Sequence, residues 1–330
     1  MNFKEENKVD LRLEQLKVWL NDNKIAYQDI APASADASFR RYFRITDAEK
    51  TFIVMDAPPE KEDCKPFVDI AKLLFDFGLN VPQILKQDLE QGFLLLSDLG
   101  NTVFLDKLNN NTVDEMYAAA MKPLLLMQKN KKPNLPAYDE TLLRNELNLF
   151  PDWYLEKQLK IVVSAEQKEV LEQTFEILIK NALEQPQVCV HRDYHSRNLM
   201  VNKNNPAAPG VIDFQDAVIG AVTYDLVSLL KDCYINWPRE KIETWVKYFH
   251  NEAESLGIIK NVSFEKFLRW FDLMGLQRHL KVAGIFSRLK HRDGKTGYLK
   301  DIPRTMDYVF DALERYPEFK PLQTLLSEVL

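Results

Sequence analysis

Residues 187–214 interrupt an otherwise helical half of the chain, and this interruption restricts the fold more than any other feature. Short apolar stretches (Val188–Val190, Leu199–Val201, Val211–Ile212) alternate there with polar loops, a pattern of short strands rather than helix. On either side the pattern is helical. Thr112-x-x-Glu115 and Ser164-x-x-Gln167 have the form of capping boxes, each ahead of a long helical segment. Helices resume at Tyr224 and continue to the C-terminus.

The first hundred residues follow a different pattern. Leu13, Leu16 and Leu20 recur at helical spacing and predict a short amphipathic opening helix. Arg40–Ile45 and Thr51–Met55 read as two strands joined by a polar hairpin turn, Asp47–Lys50. Phe67, Ile70, Ala71, Leu74 and Phe75 form a helical stripe, closed by Gly78 as a C-terminal cap. Two more strands are expected near Gln83–Lys86 and Phe93–Ser97, separated by a turn ending at Gly92. A chain of 330 residues suffices for two lobes, each with its own core. The expected class is therefore α+β, a small β-rich lobe joined to a larger helical one with a cleft between them, where ligand sites concentrate.

Composition narrows the function classes. Acidic residues outnumber basic ones, for a formal net charge of -6, and no long Lys/Arg run carries interleaved aromatics. Both observations argue against a nucleic-acid partner. Cys64, Cys189 and Cys233 match no zinc or CxxC spacing, and their odd number argues against a disulfide framework and for a reducing cytoplasm. Met1–Glu14 is charged and lacks the apolar centre of a signal peptide. No apolar run approaches the roughly 18 residues of a membrane span. A cytoplasmic protein without a membrane partner is expected.

The polar loops of the interruption carry the chemistry. They read His191-Arg192-Asp193-Tyr194-His195-Ser196-Arg197-Asn198 and, after a gap, Val211-Ile212-Asp213-Phe214. Phosphoryl transfer requires a hydroxyl placed in line with a γ-phosphate, and neutralisation of the phosphate oxygens, mostly by magnesium. Asp193 is placed to accept the hydroxyl proton. Asn198 and Asp213 offer the hard oxygen ligands that suit magnesium. The alternative is that these are ordinary polar loop residues, but the combined pattern rarely arises by chance. His191 reads as a structural histidine bonded to nearby backbone, His195 as a candidate to face the substrate, and Cys189 as core.

The segment His191–Asp213 resembles the aminoglycoside phosphotransferase and choline kinase group of the kinase-like fold. Ile212-Asp213-Phe214-Gln215-Asp216-Ala217, Thr223-Tyr224-Asp225-Leu226 and the hinge-like Leu94-Leu95-Leu96-Ser97-Asp98-Leu99-Gly100 fit the same group. The loop and its continuation to Met200, and Tyr224–Tyr234, are similar to the bacterial N-acetylmuramate/N-acetylglucosamine anomeric kinases of cell-wall recycling. Ser38–Arg44, Met55–Glu60 and Gln277–Phe286 agree. The resemblance implies a two-lobe protein-kinase-like fold: residues 1–96 as the nucleotide-binding lobe, 97–101 as a hinge beside adenine, 102–330 as the catalytic and sugar-binding lobe. It implies ATP and magnesium as cofactors, an amino sugar as partner, and a product phosphorylated on the anomeric carbon. On this reading Ser34, Ser38, Arg40, Leu96, Ser97 and Leu99 contact the nucleotide. His195, Arg197, Asp216, Arg278, Lys281 and Trp153 contact the sugar.

The sequence departs from the kinase pattern in two places. Met55 stands where a third-strand lysine is expected, and the loop Ala33–Ser38 contains no glycine. Arg40 or Arg41 is a candidate to supply the missing cation; the alternative is a pair of solvated hairpin arginines. Arg278 and Lys281, three residues apart on one helix face, form either a carboxylate-binding patch or a solvated face. Trp153 and Tyr154 either stack on a sugar or belong to the core. Asp225 reads as structural. A kinase for another small alcohol (an aminoglycoside, choline or homoserine) and a non-catalytic pseudokinase remain as competing readings.

Overall fold

A computed structural model describes residues 10–34, 39–48, 50–130 and 133–330. The described chain forms two compact units. One runs to Phe75 and includes Val81–Gly100; the other joins Asp76–Asn80 to Asn101–Leu330.

The first unit is built on a five-stranded sheet. Its strands are β1 (Asp29–Ser34), β2 (Arg41–Asp47), β3 (Lys50–Asp56), β4 (Ile84–Asp88) and β5 (Phe93–Ser97), in the order β1-β2-β3-β5-β4. Every neighbouring pair is antiparallel. The opening helix α1 (Leu11–Asp22) is capped by Asp10, whose carboxylate accepts from Leu13 N–H. It packs Leu16, Trp19 and Leu20 against Phe43, Ile45, Val54, Phe93 and Leu95. Phe43 and Ile45, and Phe93 and Leu95, are two apart and so share a sheet face. Helix α2 (Lys65–Asp76) buries Phe67, Ile70, Ala71 and Leu74, but Phe75 at the edge of the expected stripe is 51% exposed. Strand β1 was not expected: it is an edge strand, contains Pro32 and slips register between Pro32 and Ser34, so it lacks a clean alternation.

The second unit is mostly helical. It contains α3 (Val113–Lys129), α4 (Glu140–Leu147), a π-helical segment (Phe150–Gln158) and α5 (Ala165–Leu183) before the interruption. Then come β6 (Gln187–Val190), β7 (Leu199–Met200), β8 (Gly210–Val211) and β9 (Val218–Ala221). They pair antiparallel as β6 with β9 and β7 with β8. The remaining helices are α6 (Tyr224–Leu230), α7 (Arg239–Ser255), α8 (Phe264–Asp293), α9 (Ile302–Arg315) and α10 (Lys320–Val329). None is long and apolar enough to cross a membrane.

Ser164 and Gln167 form the expected capping box ahead of α5. Thr112 does not cap α3: its hydroxyl is taken by the Lys107 carbonyl (2.7 Å) and by Asn109 N–H. The 30-residue α8 starts at a Ser263 cap and stops at Gly294, whose φ of 69° ends the helix in the left-handed region. Its close packing on the π-helical segment depends on Gly284. A Cβ there would lie 2.3 Å from the Leu149 carbonyl oxygen, a backbone atom that cannot swing aside. Gly284→Ala is therefore expected to cost about 1–3 kcal/mol through overpacking, measured by thermal or denaturant unfolding; an unchanged midpoint would show that the two elements separate freely.

Candidate active site

Strand β6 delivers the chain to His191 in the interior of the second unit, and the residues that follow turn sharply. Arg192 (φ 77°) and Asp213 (φ 66°) both occupy the left-handed region without being glycine. Such backbone costs on the order of 1–3 kcal/mol and persists only when its surroundings impose it. At Arg192 the constraint is Asp225, fully buried on α6. Its carboxylate accepts from His191 N–H (2.7 Å) and Arg192 N–H (3.0 Å). Burial pushes the Asp225 carboxyl up to about 7, against the pull of those two donors.

His191 fixes the next bond. Its Nε2–H donates to the Ile212 carbonyl (3.1 Å) and its Nδ1 accepts from Asp193 N–H (3.2 Å). Both roles require the neutral ring, and burial lowers its pKa to about 4. The structural reading of His191 therefore holds. Further along, Asp232 accepts from Ser196 N–H (2.9 Å), from the Ser196 hydroxyl and from Tyr234 N–H (3.0 Å).

The loop closes on itself at Asn198. Its side-chain amide donates to the Asp193 carbonyl (3.0 Å) and to Asp213 Oδ2 (3.1 Å), while Gln215 donates to Asp213 Oδ1 (2.9 Å). Ile212 N–H completes the junction on the Asn198 carbonyl (3.1 Å). Asn198 and Asp213, fifteen residues apart in sequence, are thereby held side by side through the Asn198 amide nitrogen, and the oxygens of both side chains are of the hard type that suits a magnesium ion. Among the described residues no three His, Cys, Asp or Glu side chains converge as a metal site. A metal here would draw its other ligands from phosphate and water.

Around the loop almost every charge is paired. Glu146 on α4 accepts from Arg192 Nη2 (2.6 Å), from Lys281 Nζ (2.8 Å) and from the Tyr138 hydroxyl. Burial pushes its carboxyl up, but Lys281 and then Arg192 outweigh this and hold it below the usual carboxylate range. Lys281 Nζ also donates to the Tyr224 hydroxyl (3.0 Å). Two side chains stand apart. The Asp193 carboxylate and the Arg278 guanidinium form no hydrogen bond or ion pair with the described residues. Burial pushes the Asp193 carboxyl up; the charge of Arg278, followed by His195 and Lys281, overrides burial and holds it low.

The other sugar-binding candidates divide. His195 is half-buried, its Nδ1 lacks a partner among the described residues, and its ring meets Tyr234 edge-on at 5.4 Å. Arg197 lies 4.0 Å over the same Tyr234 ring. Asp216 is exposed. Trp153 is half-buried in the π-helical segment, whereas its neighbour Tyr154 is core. Arg278 and Lys281 are 4% and 6% exposed, so the solvated-face alternative is excluded. Sequence reasoning missed Asp232, Glu146 and Tyr234 as parts of this site. Asp225 sits in the first turn of α6 and Asp232 two residues past its end; the Glu146–Arg192 pair, 46 residues apart, left no signal in the sequence.

In the first unit, Arg40 pairs with Glu62 (2.6 Å), and Arg41 is committed to Asp56 (2.6 Å) and Asp10. These arginines are not solvated hairpin cations. Leu96 is buried, the Ser97 hydroxyl accepts from Gln83 N–H (2.8 Å), and Leu99 is half-buried. Arg44 locks this stretch with two bonds to Asp98 (2.6 and 3.0 Å) and one to the Gly100 carbonyl (2.9 Å). Ser34 ends β1; Ser38 lies outside the described residues.

Residues 29–258 match the model of the phosphotransferase enzyme family. A Pseudomonas aeruginosa protein named N-acetylmuramate/N-acetylglucosamine kinase is 47% identical, covering 97% of each chain. A Neisseria meningitidis protein of the same name is 43% identical over 92% of this chain and 91% of its own. Among solved structures, a Streptococcus pneumoniae choline kinase superposes with a TM-score of 0.64 at 13% identity, covering 91% of this chain and 99% of its own. The kinase-like α+β fold is thereby established.

The Glu146 cluster makes a stability prediction. A carboxyl held low in the fold contributes stability that is present above its unfolded pKa, about 4.3, and is lost as the pH falls through the lower folded value. Glu146→Gln strands Arg192 and Lys281 and is expected to cost about 3–5 kcal/mol at neutral pH. In unfolding experiments the gap from wild type should narrow as the pH drops below that range. A gap constant with pH would mean that Glu146 is not ionised in the fold.

Proposed function

The chain belongs to the phosphotransferase enzyme family, and on that premise we propose that it moves the γ-phosphoryl group of ATP to the anomeric hydroxyl of an N-acetylated amino sugar. The acceptor is N-acetylmuramate, N-acetylglucosamine or both; the product is the sugar 1-phosphate, in the cytoplasm, for cell-wall recycling. The observation that carries the reading is the unengaged Asp193 carboxylate, held low in pKa beside the paired Asn198 and Asp213. The names of the relatives support the choice of sugar.

Asp193 accepts the hydroxyl proton as the sugar oxygen attacks the γ-phosphorus. The bond to the bridging oxygen breaks and its electron pair leaves with ADP. An anomeric hydroxyl is more acidic than other sugar hydroxyls, so a carboxylate kept ionised suffices as base. Asn198 and Asp213 would hold a magnesium ion, which neutralises charge on the phosphate oxygens. Asp225, His191 and Asp232 keep the loop in register for both tasks.

On the nucleotide side, Ser34, Ser38 and Arg40 are assigned to the phosphates, and Leu96, Ser97 and Leu99 to adenine. Residues 1–96, 97–101 and 102–330 serve as nucleotide lobe, hinge and catalytic lobe. The Arg40–Glu62 pair suits this assignment, since kinases hold their phosphate-binding lysine with a glutamate in the same way. His195, Arg197, Asp216 and Trp153 are assigned to the sugar. A cationic acceptor such as an aminoglycoside or choline is disfavoured by Arg278 and Lys281, whose charges already reach Asp193.

Two experiments test the reading. Asp193→Asn should lower kcat by about 10²–10⁴-fold while ATP binding persists in a direct titration; near-normal turnover would remove Asp193 as base. A methyl glycoside of the sugar, blocked only at the anomeric position, should not be phosphorylated. Its efficient use would place the transfer on another hydroxyl.

A further inference from the structure

Arg278 and Lys281 share one face of α8, and the sequence offers them as equal candidates for binding an anion. The structure separates them. Lys281 is already spent: Glu146 and the Tyr224 hydroxyl both take hydrogens from its ammonium. Arg278 is 4% exposed, its Nε is buried without a partner among the described residues, and its guanidinium carbon lies 5.8 Å from the Tyr224 ring. No neighbouring carboxylate bonds it: the charge of Asp193 reaches it, but the two form no ion pair. Asp232 is taken by Ser196 and Tyr234, and Asp225 by two backbone N–H groups. A desolvated guanidinium with no acceptor among the described residues is costly, and an anion bound beside it would remove that cost.

We infer that the Arg278 guanidinium recognises a carboxylate on the acceptor, the lactyl group of N-acetylmuramate, without help from Lys281. This rests on the amino-sugar reading above. The planar fork of arginine matches a carboxylate through two parallel hydrogen bonds, which an ammonium cannot do. The arrangement also explains how a neutral sugar remains acceptable. Arg278 has no bonded partner among the described residues, so a sugar without a carboxylate breaks no bond there, whereas an acidic sugar adds one. The other anion within reach of such a site is the transferring phosphoryl group, which is common to every acceptor and so would give Arg278 no preference among sugars.

The test compares kcat/KM at saturating ATP for N-acetylmuramate, its methyl ester and N-acetylglucosamine, in wild type, Arg278→Met and Arg278→Lys. The ester keeps the bulk of the lactyl group and removes only its charge. Because the comparison is a ratio between substrates in one preparation, it is independent of the folded fraction. Wild type should favour the acid over the ester by about 10- to 150-fold. Arg278→Met should erase that preference, and Arg278→Lys should retain only part of it. Equal losses on all three sugars would assign Arg278 to the phosphoryl group or to the packing, and would overturn the inference while leaving the amino-sugar reading intact. Absence of any acid preference in wild type would overturn it as well. A wild type inactive on all three sugars would overturn the amino-sugar reading and this inference with it.

Discussion

Two buried carboxylates seven residues apart, Asp225 and Asp232, hold the two ends of the loop from His191 to Asn198, and the geometry of the reactive groups depends on them. Asp225 accepts two successive backbone N–H groups and so imposes the left-handed turn at Arg192. Asp232 accepts the Ser196 amide and hydroxyl and keeps the far half of the loop in place. Between them Asp193 is carried on a backbone fixed by His191 from one side and Asn198 from the other. Backbone donors make good anchors because an amide cannot rotate away as a long side chain can.

The same unit allocates its charges unevenly. Glu146 absorbs two cations, Asp272 absorbs Lys231 and Arg239, and Asp213 is tied to Asn198 and Gln215. Among the described residues, the Asp193 carboxylate and the Arg278 guanidinium beside the loop form no hydrogen bond or ion pair. The two are opposite in sign, and the proposed transfer would use one for a proton and the other for an anion. Each also shapes the other, since the positive field of Arg278 helps keep Asp193 ionised.

Much of this was legible in the sequence. The loop motif brings Asp193, Asn198 and Asp213 together, because a five-residue and a twenty-residue spacing across two short strands returns the chain to one place. Helical stripes and hairpins in the first hundred residues were readable for the same reason: local periodicity reports local structure. What escaped was irregular or long-range. Strand β1 hides behind Pro32, and β9 follows the motif too closely to stand out. Phe75 was drawn into a stripe that ends at Leu74, and Thr112 formed turn bonds instead of a cap. The different fates of Arg278 and Lys281 depend on Glu146, more than 130 residues earlier, and no spacing rule connects them.

The central claim is that this loop directs phosphoryl transfer to the anomeric oxygen of an amino sugar. The most direct measurement is a phosphorus–proton correlation NMR spectrum of the product formed from ATP, magnesium and N-acetylglucosamine. The claim predicts one new phosphorus resonance coupled to the anomeric proton H1. Coupling to the C6 methylene protons or to a ring proton at C3 or C4 would contradict it.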